Sequence, residues 1–223
     1  MFDAIAPRYD LLNHVLSAGL DRRWRRKAVD ELSLRENATV LDLCTGTADL
    51  ALTIAGRYPA ARVLGVDFAA SMLAIGARKV RAASHADRIL LVRGDAVRIP
   101  LAASACDAAT MAFGIRNVAE PRRALDELAR VLRPGARLAI LEFGHPRLPG
   151  VRTLYDWYFR YLLPLVGRMV SKHRSAYSYL PASVGAFPPP PEFAALLERH
   201  GFARVRVVSL SLGIVYLYVA ERR

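Results

Sequence analysis

Between Thr39 and Leu52 the chain reads TVLDLCTGTADLAL, and from Val63 to Phe68 it reads VLGVDF. The first apolar run, Val40-Leu41-Asp42-Leu43, breaks off at the small residues Cys44, Thr45, Gly46, Thr47 and Ala48, and a helical pattern starts at Asp49. A buried strand that turns tightly into a helix leaves free backbone N–H groups at its exit, which suits an anionic or polar ligand. Small side chains at the turn let that ligand come close to the main chain. The second run ends in an acid, Asp67, placed to accept hydrogen bonds from both hydroxyls of a ribose. The pattern is that of a nucleoside-binding half-fold, with Asp42 in the strand, Gly46 and Thr47 in the loop, and Asp67 closing the next strand.

The elements that must position these residues alternate along the chain. Strands are expected at Thr39–Leu43, Arg62–Asp67, Ile89–Arg93, Asp107–Ala112 and Arg137–Phe143, with helices at Asp49–Arg57, Ser71–Ala82 and Pro121–Leu132 between them. Such alternation implies a parallel sheet with helices on both faces. Before it, residues 1–38 read as a helical cap, with Leu12, Leu16, Leu20 and Trp24 at helical spacing and a basic run from Arg22 to Lys27. After it, residues 145–191 form an insertion rich in aromatics and Arg that ends in four prolines, Pro188 to Pro191. A helix at Glu192–His200 then leads to Ala203–Leu210 and Ile214–Ala220, which read as an antiparallel hairpin.

The bulk numbers suit one domain over residues 1–223. The 223 residues are 53% hydrophobic and 23% charged, which excludes a disordered chain. No apolar run reaches the ~18 residues of a spanning helix, and MFDAIAPRYD has no secretory pattern. Two cysteines, Cys44 and Cys106, and five histidines without ligand spacing give no disulfide framework and no metal site. A cytoplasmic setting is the expectation. The net charge of +12, carried almost wholly by Arg, is compatible with nucleic acid, an anionic membrane surface or an acidic ligand, and equally with a compositional bias that has no partner.

A nicotinamide dinucleotide needs G-x-G-x-x-G for its pyrophosphate, and the loop at Gly46 lacks the other two glycines. The third strand ends Gly94-Asp95-Ala96 and the fourth Met111-Ala112-Phe113-Gly114. A mostly parallel seven-stranded α/β sheet closed by an antiparallel hairpin, with these strand ends, resembles the Rossmann-like class I methyltransferases that use S-adenosyl-L-methionine (SAM). There the loop meets the methionine end of the donor, Asp95 and Ala96 the adenine, and Ala112 the mouth where donor and acceptor meet. Cys44 and Ala48 stand where that superfamily commonly has Gly. If either position requires a positive φ, donor binding is expected to weaken; Cys44 otherwise reads as a small core filler.

Nearly the whole chain is similar to one family within that class, the C-methyltransferases of ubiquinone and menaquinone biosynthesis. The resemblance rests on Tyr9-Asp10-Leu11-Leu12-Asn13 through Leu16-Ser17 to Trp24, on FGIRNV from Phe113 to Val118, on RVLRPGARLAILEF from Arg130 to Phe143, and on the aromatic tail with Tyr177-Ser178-Tyr179-Leu180 and a Phe-Pro before the last helix. It departs at Asp21, where the family usually has His, at Leu12, where Met is common, at Ala112, which replaces a donor-binding Ser, and in the final GIVYLYVAERR. The resemblance implies donor contacts at Thr47, Asp67, Asp95 and Ala96, and methyl transfer from SAM to a ring carbon of a reduced polyprenylated quinone, most simply demethylmenaquinol. The sulfonium is itself the activated leaving group, so the chemistry calls for no metal.

On the acceptor side the candidates are Arg116 and Asn117, after the fourth strand, and Tyr9 from the N-terminal segment. Arg116 would orient a phenolate or a water, being too basic to cycle easily as a free base; its other reading is an ion pair that fixes the loop. Asn117 would hold the second ring oxygen or cap the loop, Tyr9 would close the site or pack, and Asp10 would cap the first helix. His145 reads as a solvated loop residue. Arg152, Arg160 and Arg168 interleave with aromatics and Leu between Leu148 and Met169, which suits peripheral docking at an anionic inner membrane face or a roof over the sheet. The oligomeric state is open, a homodimer included. The rival functions are a SAM enzyme acting on RNA or another small phenol, disfavoured for RNA by the Leu- and Val-rich arm, a benzoquinol methylase, and a non-catalytic scaffold.

Overall fold

The computed structural model describes residues 10, 14, 17–146, 148–157 and 182–223. Seven strands form one sheet: β1 (Thr39–Leu43), β2 (Arg62–Asp67), β3 (Ile89–Arg93), β4 (Cys106–Ala112), β5 (Leu132–Phe143), β6 (Phe202–Leu210) and β7 (Val215–Arg222). Their order is β3-β2-β1-β4-β5-β7-β6. The first five run parallel, β7 is antiparallel to β5, and β6 to β7. The helices whose bounds lie within the described residues are α1 (Leu20–Asp30), α2 (Asp49–Arg57), α3 (Ala70–Ala82), α4 (Pro121–Val131), α5 (Pro149–Trp157) and α6 (Pro190–Arg199). The expected bounds of β1, β2, β3 and α2 match residue for residue. β5 begins earlier than the Arg133-Pro134-Gly135 turn suggested, because Leu132 already pairs with Cys106; the register then slips before Ala108 meets Arg137.

The central strands β1, β4 and β7 are buried almost throughout because both faces are covered, whereas the edge strands β3 and β6 carry exposed positions. Successive side chains alternate between two cores. Leu41, Leu43, Met111, Leu138 and Ile140 pack with Leu125 and Leu128 of α4 and Phe193 and Leu197 of α6. Val40, Val63, Ala108, Ala139 and Leu141 pack with Trp24 and Ala28 of α1, Leu50 and Ile54 of α2, and Val80 of α3. The sheet order reverses between β1 and β4, so the carboxyl ends of those strands flank a crevice. Asp42 lies beside Thr110 in that pairing.

Of the cap, α1 and the residues leading into it are described. Asp21 is buried at the start of α1, where it accepts hydrogen bonds from Arg25 and, at 3.0 Å, from Ser17. Burial pushes the Asp21 carboxyl up, but the Arg25 charge and hydrogen bonds from Arg25, Ser17 and His14 outweigh it and hold the pKa below the ordinary value. An acid at the position where His is usual thus has a structural partner set of its own. Among the described residues no helix is long and apolar enough to cross a membrane.

Candidate functional site

The loop between β1 and α2 is held from below by Asp42. Its carboxylate is almost wholly buried and accepts hydrogen bonds from Thr45 Oγ1 at 2.6 Å and Thr110 Oγ1 at 2.8 Å. Burial pushes the Asp42 pKa up to about 6, against the pull of those hydroxyls. Asp42 therefore braces the loop. Its neighbour Gly46 has φ +57°, and a Cβ placed there would meet nothing within 4 Å, so open space lies over the loop as a ligand needs.

Cys44 and Ala48 both adopt positive φ, 57° and 67°. An L-residue in this region costs roughly 1–2 kcal/mol, so the loop holds two strained residues where glycine would be free of strain. The glycines stand opposite instead. A Cβ on Gly114 would lie 2.5 Å from Cys44 Cβ, and one on Gly76 of α3 would lie 3.2 Å from Ala48 Cβ and 3.2 Å from the Thr47 carbonyl carbon. Room surrendered inside the loop is recovered from the elements that face it. Burial and the surrounding carboxylates, Asp67 foremost, push the Cys44 thiol far up, which fits a filler and not a nucleophile.

Asp67 stands at the end of β2 as expected, and its oxygens already have protein partners. Gly46 N–H donates to Oδ2 at 2.8 Å and Ala69 N–H to Oδ1 at 2.9 Å. The carboxylate thus ties the β1 loop to the start of α3. Asp95 is exposed beyond β3 and takes the Val97 N–H at 3.1 Å on Oδ1, while Ala96 is buried beneath it. Ala112 closes β4 in a half-buried position. Thr47 is buried, and its hydroxyl donates to Asp10 Oδ1 at 2.5 Å. Asp42, Gly46, Thr47, Asp67, Asp95, Ala96 and Ala112 all lie at the carboxyl ends of β1 to β4 or the loops leaving them, the geometry a nucleoside donor requires.

Beyond β4, Phe113 (φ +58°) turns the chain into a single 3-10 turn, Ile115–Asn117. Arg116 Nη1 donates to the Phe113 carbonyl at 2.6 Å and to Glu142 Oε1 at 2.5 Å; Asn117 Nδ2 donates to the same carbonyl at 3.1 Å. Glu142, on β5, is 0% exposed and also accepts the Phe143 N–H at 2.9 Å. Burial pushes its carboxyl up, and the Arg116 charge pulls it part of the way back. Both Arg116 and Asn117 therefore fix the loop. Arg116 Nε, however, is buried and has no acceptor among the described residues. The Arg116 guanidinium lies 5.2 Å from the Phe143 ring centre, and Phe143 stacks on Phe113 at 4.5 Å with Trp24 set edge-on to both. Tyr9 lies outside the described residues, as does the arm from residue 158 to 169. His145 is exposed, with Tyr155 edge-on at 6.2 Å.

The sequence reading missed Glu142, although an acid inside LAILEF was a visible signal, and missed Lys79, whose Nζ reaches Thr47 Oγ1 at 3.2 Å and Asp10 Oδ2 at 2.9 Å.

The profile of the ubiE/COQ5 methyltransferase family matches residues 1–222. The chain belongs to the ubiE/COQ5 methyltransferase family. The methyltransferase is 50% identical over 218 residues, 98% of its length and 91% of the relative's, to the ubiquinone/menaquinone biosynthesis C-methyltransferase UbiE of Syntrophotalea carbinolica. It is 47% identical over 222 residues, covering both chains completely, to the demethylmenaquinone methyltransferase of Thermus thermophilus. Among solved structures it resembles a SAM-dependent methyltransferase from Aquifex aeolicus, with 23% identity, a TM-score of 0.63 and 89% of each chain covered. It also resembles the [4+2]-cyclase SpnF, with 17% identity, a TM-score of 0.73 and coverage of 100% and 93%. The fold is thus shared with a cyclase, and family membership is what identifies a methyltransferase here. Its methyl donor is S-adenosyl-L-methionine, which the open, glycine-turned loop and its flanking carboxylates fit.

Proposed function

We propose that this methyltransferase acts on a ring carbon of a reduced, polyprenylated quinone, with demethylmenaquinol as the substrate. The full-length likeness to relatives of that name supports the substrate class. The observation within the molecule that carries the reading is the buried Arg116 Nε–H, which has no acceptor among the described residues and lies beside the donor loop. A buried donor left unmet costs about 1–3 kcal/mol, and a phenolate oxygen or a water bound to it removes that cost.

Thr47, Asp67, Asp95 and Ala96 would hold the donor, with Asp42 and Gly46 shaping the loop. When bound, SAM supplies an electrophilic methyl group on a sulfonium leaving group. Arg116 holds the ring oxygen as a phenolate, whose electron density makes the neighbouring ring carbon nucleophilic. Glu142 keeps the guanidinium fixed while it does so. Asn117 sets the turn, and the Phe113–Phe143 stack gives the ring an apolar wall. Fixing the acceptor carbon in line with the donor is the main contribution asked of these residues. The phenol proton, and later the ring proton, leave to a base or a water held in the site.

We also infer peripheral docking at an anionic membrane. Arg22, Arg23, Arg26 and Lys27 are exposed on α1, and Leu148, Arg152 and Trp157 are exposed at α5, a mix suited to headgroups. The functional test incubates the full chain with methyl-labelled SAM and, in parallel reactions, chemically reduced demethylmenaquinone in detergent, a reduced demethylated benzoquinone in detergent, or RNA. Labelled menaquinol is expected. Label on a benzoquinol alone moves the assignment to the ubiquinone branch, and label on RNA or on neither ring overturns it. Flotation with anionic liposomes at low and high salt tests docking; no association at either refutes it.

A further inference from the structure

Thr47 sits at the centre of an ion-pair cluster that the donor reading leaves unused. Its hydroxyl donates to Asp10, and Lys79 Nζ lies against Thr47 at 3.2 Å, Asp10 at 2.9 Å and, closer still, Asp49. Thr47 is buried, whereas Lys79 is 28% and Asp10 37% exposed. The charged pair therefore faces solvent directly above the loop hydroxyl. Lys79 reaches this point because Gly76, one turn earlier on α3, lets the helix lie against the Thr47 backbone.

We propose that Lys79 and Asp10 form the receptor for the amino-acid end of the methyl donor, Lys79 taking its carboxylate and Asp10 its ammonium. The inference rests on the Thr47 loop being the donor site. The pair is itself a zwitterion: one ammonium against one carboxylate. The ligand carries the same two charges and can exchange with them, its carboxylate replacing Asp10 on Lys79 and its ammonium becoming the new partner of Asp10. All three donors of the Lys79 ammonium have acceptors here, so it passes from one carboxylate to another without an unmet N–H. The charge balance agrees. Asp49 also faces Arg25 at 3.6 Å, and Arg25 pairs with Asp21. Within this cluster the three carboxylates, Asp10, Asp49 and Asp21, exceed the two cations, Lys79 and Arg25, by one negative charge, and SAM, a zwitterion plus a sulfonium, carries one positive charge.

Calorimetry on the full chain tests this with three ligands: S-adenosylhomocysteine, its decarboxylated analogue, and methylthioadenosine, which lacks the amino acid. In the unaltered protein, removing the ligand carboxylate is expected to weaken binding about tenfold or more, as for loss of a hydrogen bond to a charged group. In Lys79→Met, S-adenosylhomocysteine weakens by that factor, methylthioadenosine is unchanged, and the carboxylate no longer matters. Lys79→Arg restores most of the difference. Equal affinity of the unaltered protein for S-adenosylhomocysteine and its decarboxylated analogue overturns the proposal without any variant. So does equal weakening of all three ligands by Lys79→Met, which marks a merely structural ion pair. Failure of the unaltered protein to bind any of the three would instead remove the donor site itself.

Discussion

Gly114 is the point where the β1–α2 loop touches the turn that follows β4, and substituting it measures how tightly the two are joined. Its φ of −103° and ψ of −38° suit any residue, so Gly114→Ala adds no backbone strain. The added Cβ would lie 2.5 Å from Cys44 Cβ, 3.0 Å from Cys44 Sγ and 3.3 Å from Met111 Cγ. None of these is the far end of a flexible chain, and Cys44 is fixed in a left-handed turn, so one loop must move. Overpacking of this kind costs about 1–3 kcal/mol. Cys44→Gly alone relieves a positive φ worth roughly 1–2 kcal/mol, but loses the packing of its side chain and adds about 0.5–1 kcal/mol of unfolded-state freedom, so its net effect is small. In the double variant the Cβ at 114 finds the Cys44 side chain gone and, of these three contacts, retains that with Met111. The two substitutions should therefore couple by at least about 1 kcal/mol, beyond the ~0.5 kcal/mol within which independent sites add. Urea denaturation followed by circular dichroism and by fluorescence of Trp24, whose ring centre is 6.2 Å from Phe113, reads both stability and loop packing. Additive behaviour would refute the contact on which the joining of the two loops depends.

Other consequences are open to measurement. Arg116→Met leaves Glu142 buried without its partner and should destabilise the protein by about 3–5 kcal/mol; pairing it with Glu142→Leu should recover most of this in chemical denaturation. The Asp42 pKa is raised in the folded state, from an ordinary value of 3.8 to about 6, so the folded protein holds the proton more tightly. The associated stability is full below the ordinary pKa and is lost as pH rises through about 6, a fall of about 3 kcal/mol that should be missing from Asp42→Asn when the two are compared between pH 4 and 7. Asp67→Asn can still accept the Gly46 N–H but presents one acceptor oxygen in place of two, and calorimetry should show SAM bound at least about tenfold more weakly.

What the sequence made legible follows from what local pattern encodes. The strands β1, β2 and β3 and the helix α2 could be bounded because an apolar run ends abruptly at small or charged residues, and that change is local. Asp67 was legible as a strand-end acid, but not the Gly46 and Ala69 amides it holds, which depend on how the β1 loop folds over β2. The partner of Arg116 was hidden for a similar reason. Glu142 lies on a different strand, and only the β4–β5 register, with Ala112 beside Leu141, brings the two together. Lys79 was hidden by the turn of α3, since one helical face cannot be matched to a loop from spacing alone.

The β1–α2 loop shows how a fold accommodates side chains in a turn suited to glycine. Read locally, Cys44 and Ala48 are defects: two side chains in a left-handed turn that glycine would make without strain. In the fold each is matched by a glycine across the contact, Gly114 for Cys44 and Gly76 for Ala48. The strain of the φ angles remains, and the buried Asp42, the Asp67–Gly46 hydrogen bond and the Thr45 N–H to Val66 carbonyl bond of 3.1 Å hold the turn against it. Because Gly114 also starts the turn that carries Arg116 and Asn117, the same substitution that strains the β1–α2 loop sets the spacing between that loop and the proposed acceptor turn. A change at Cys44 should consequently be felt in the acceptor KM as well as in donor affinity, even though its thiol takes no part in the chemistry.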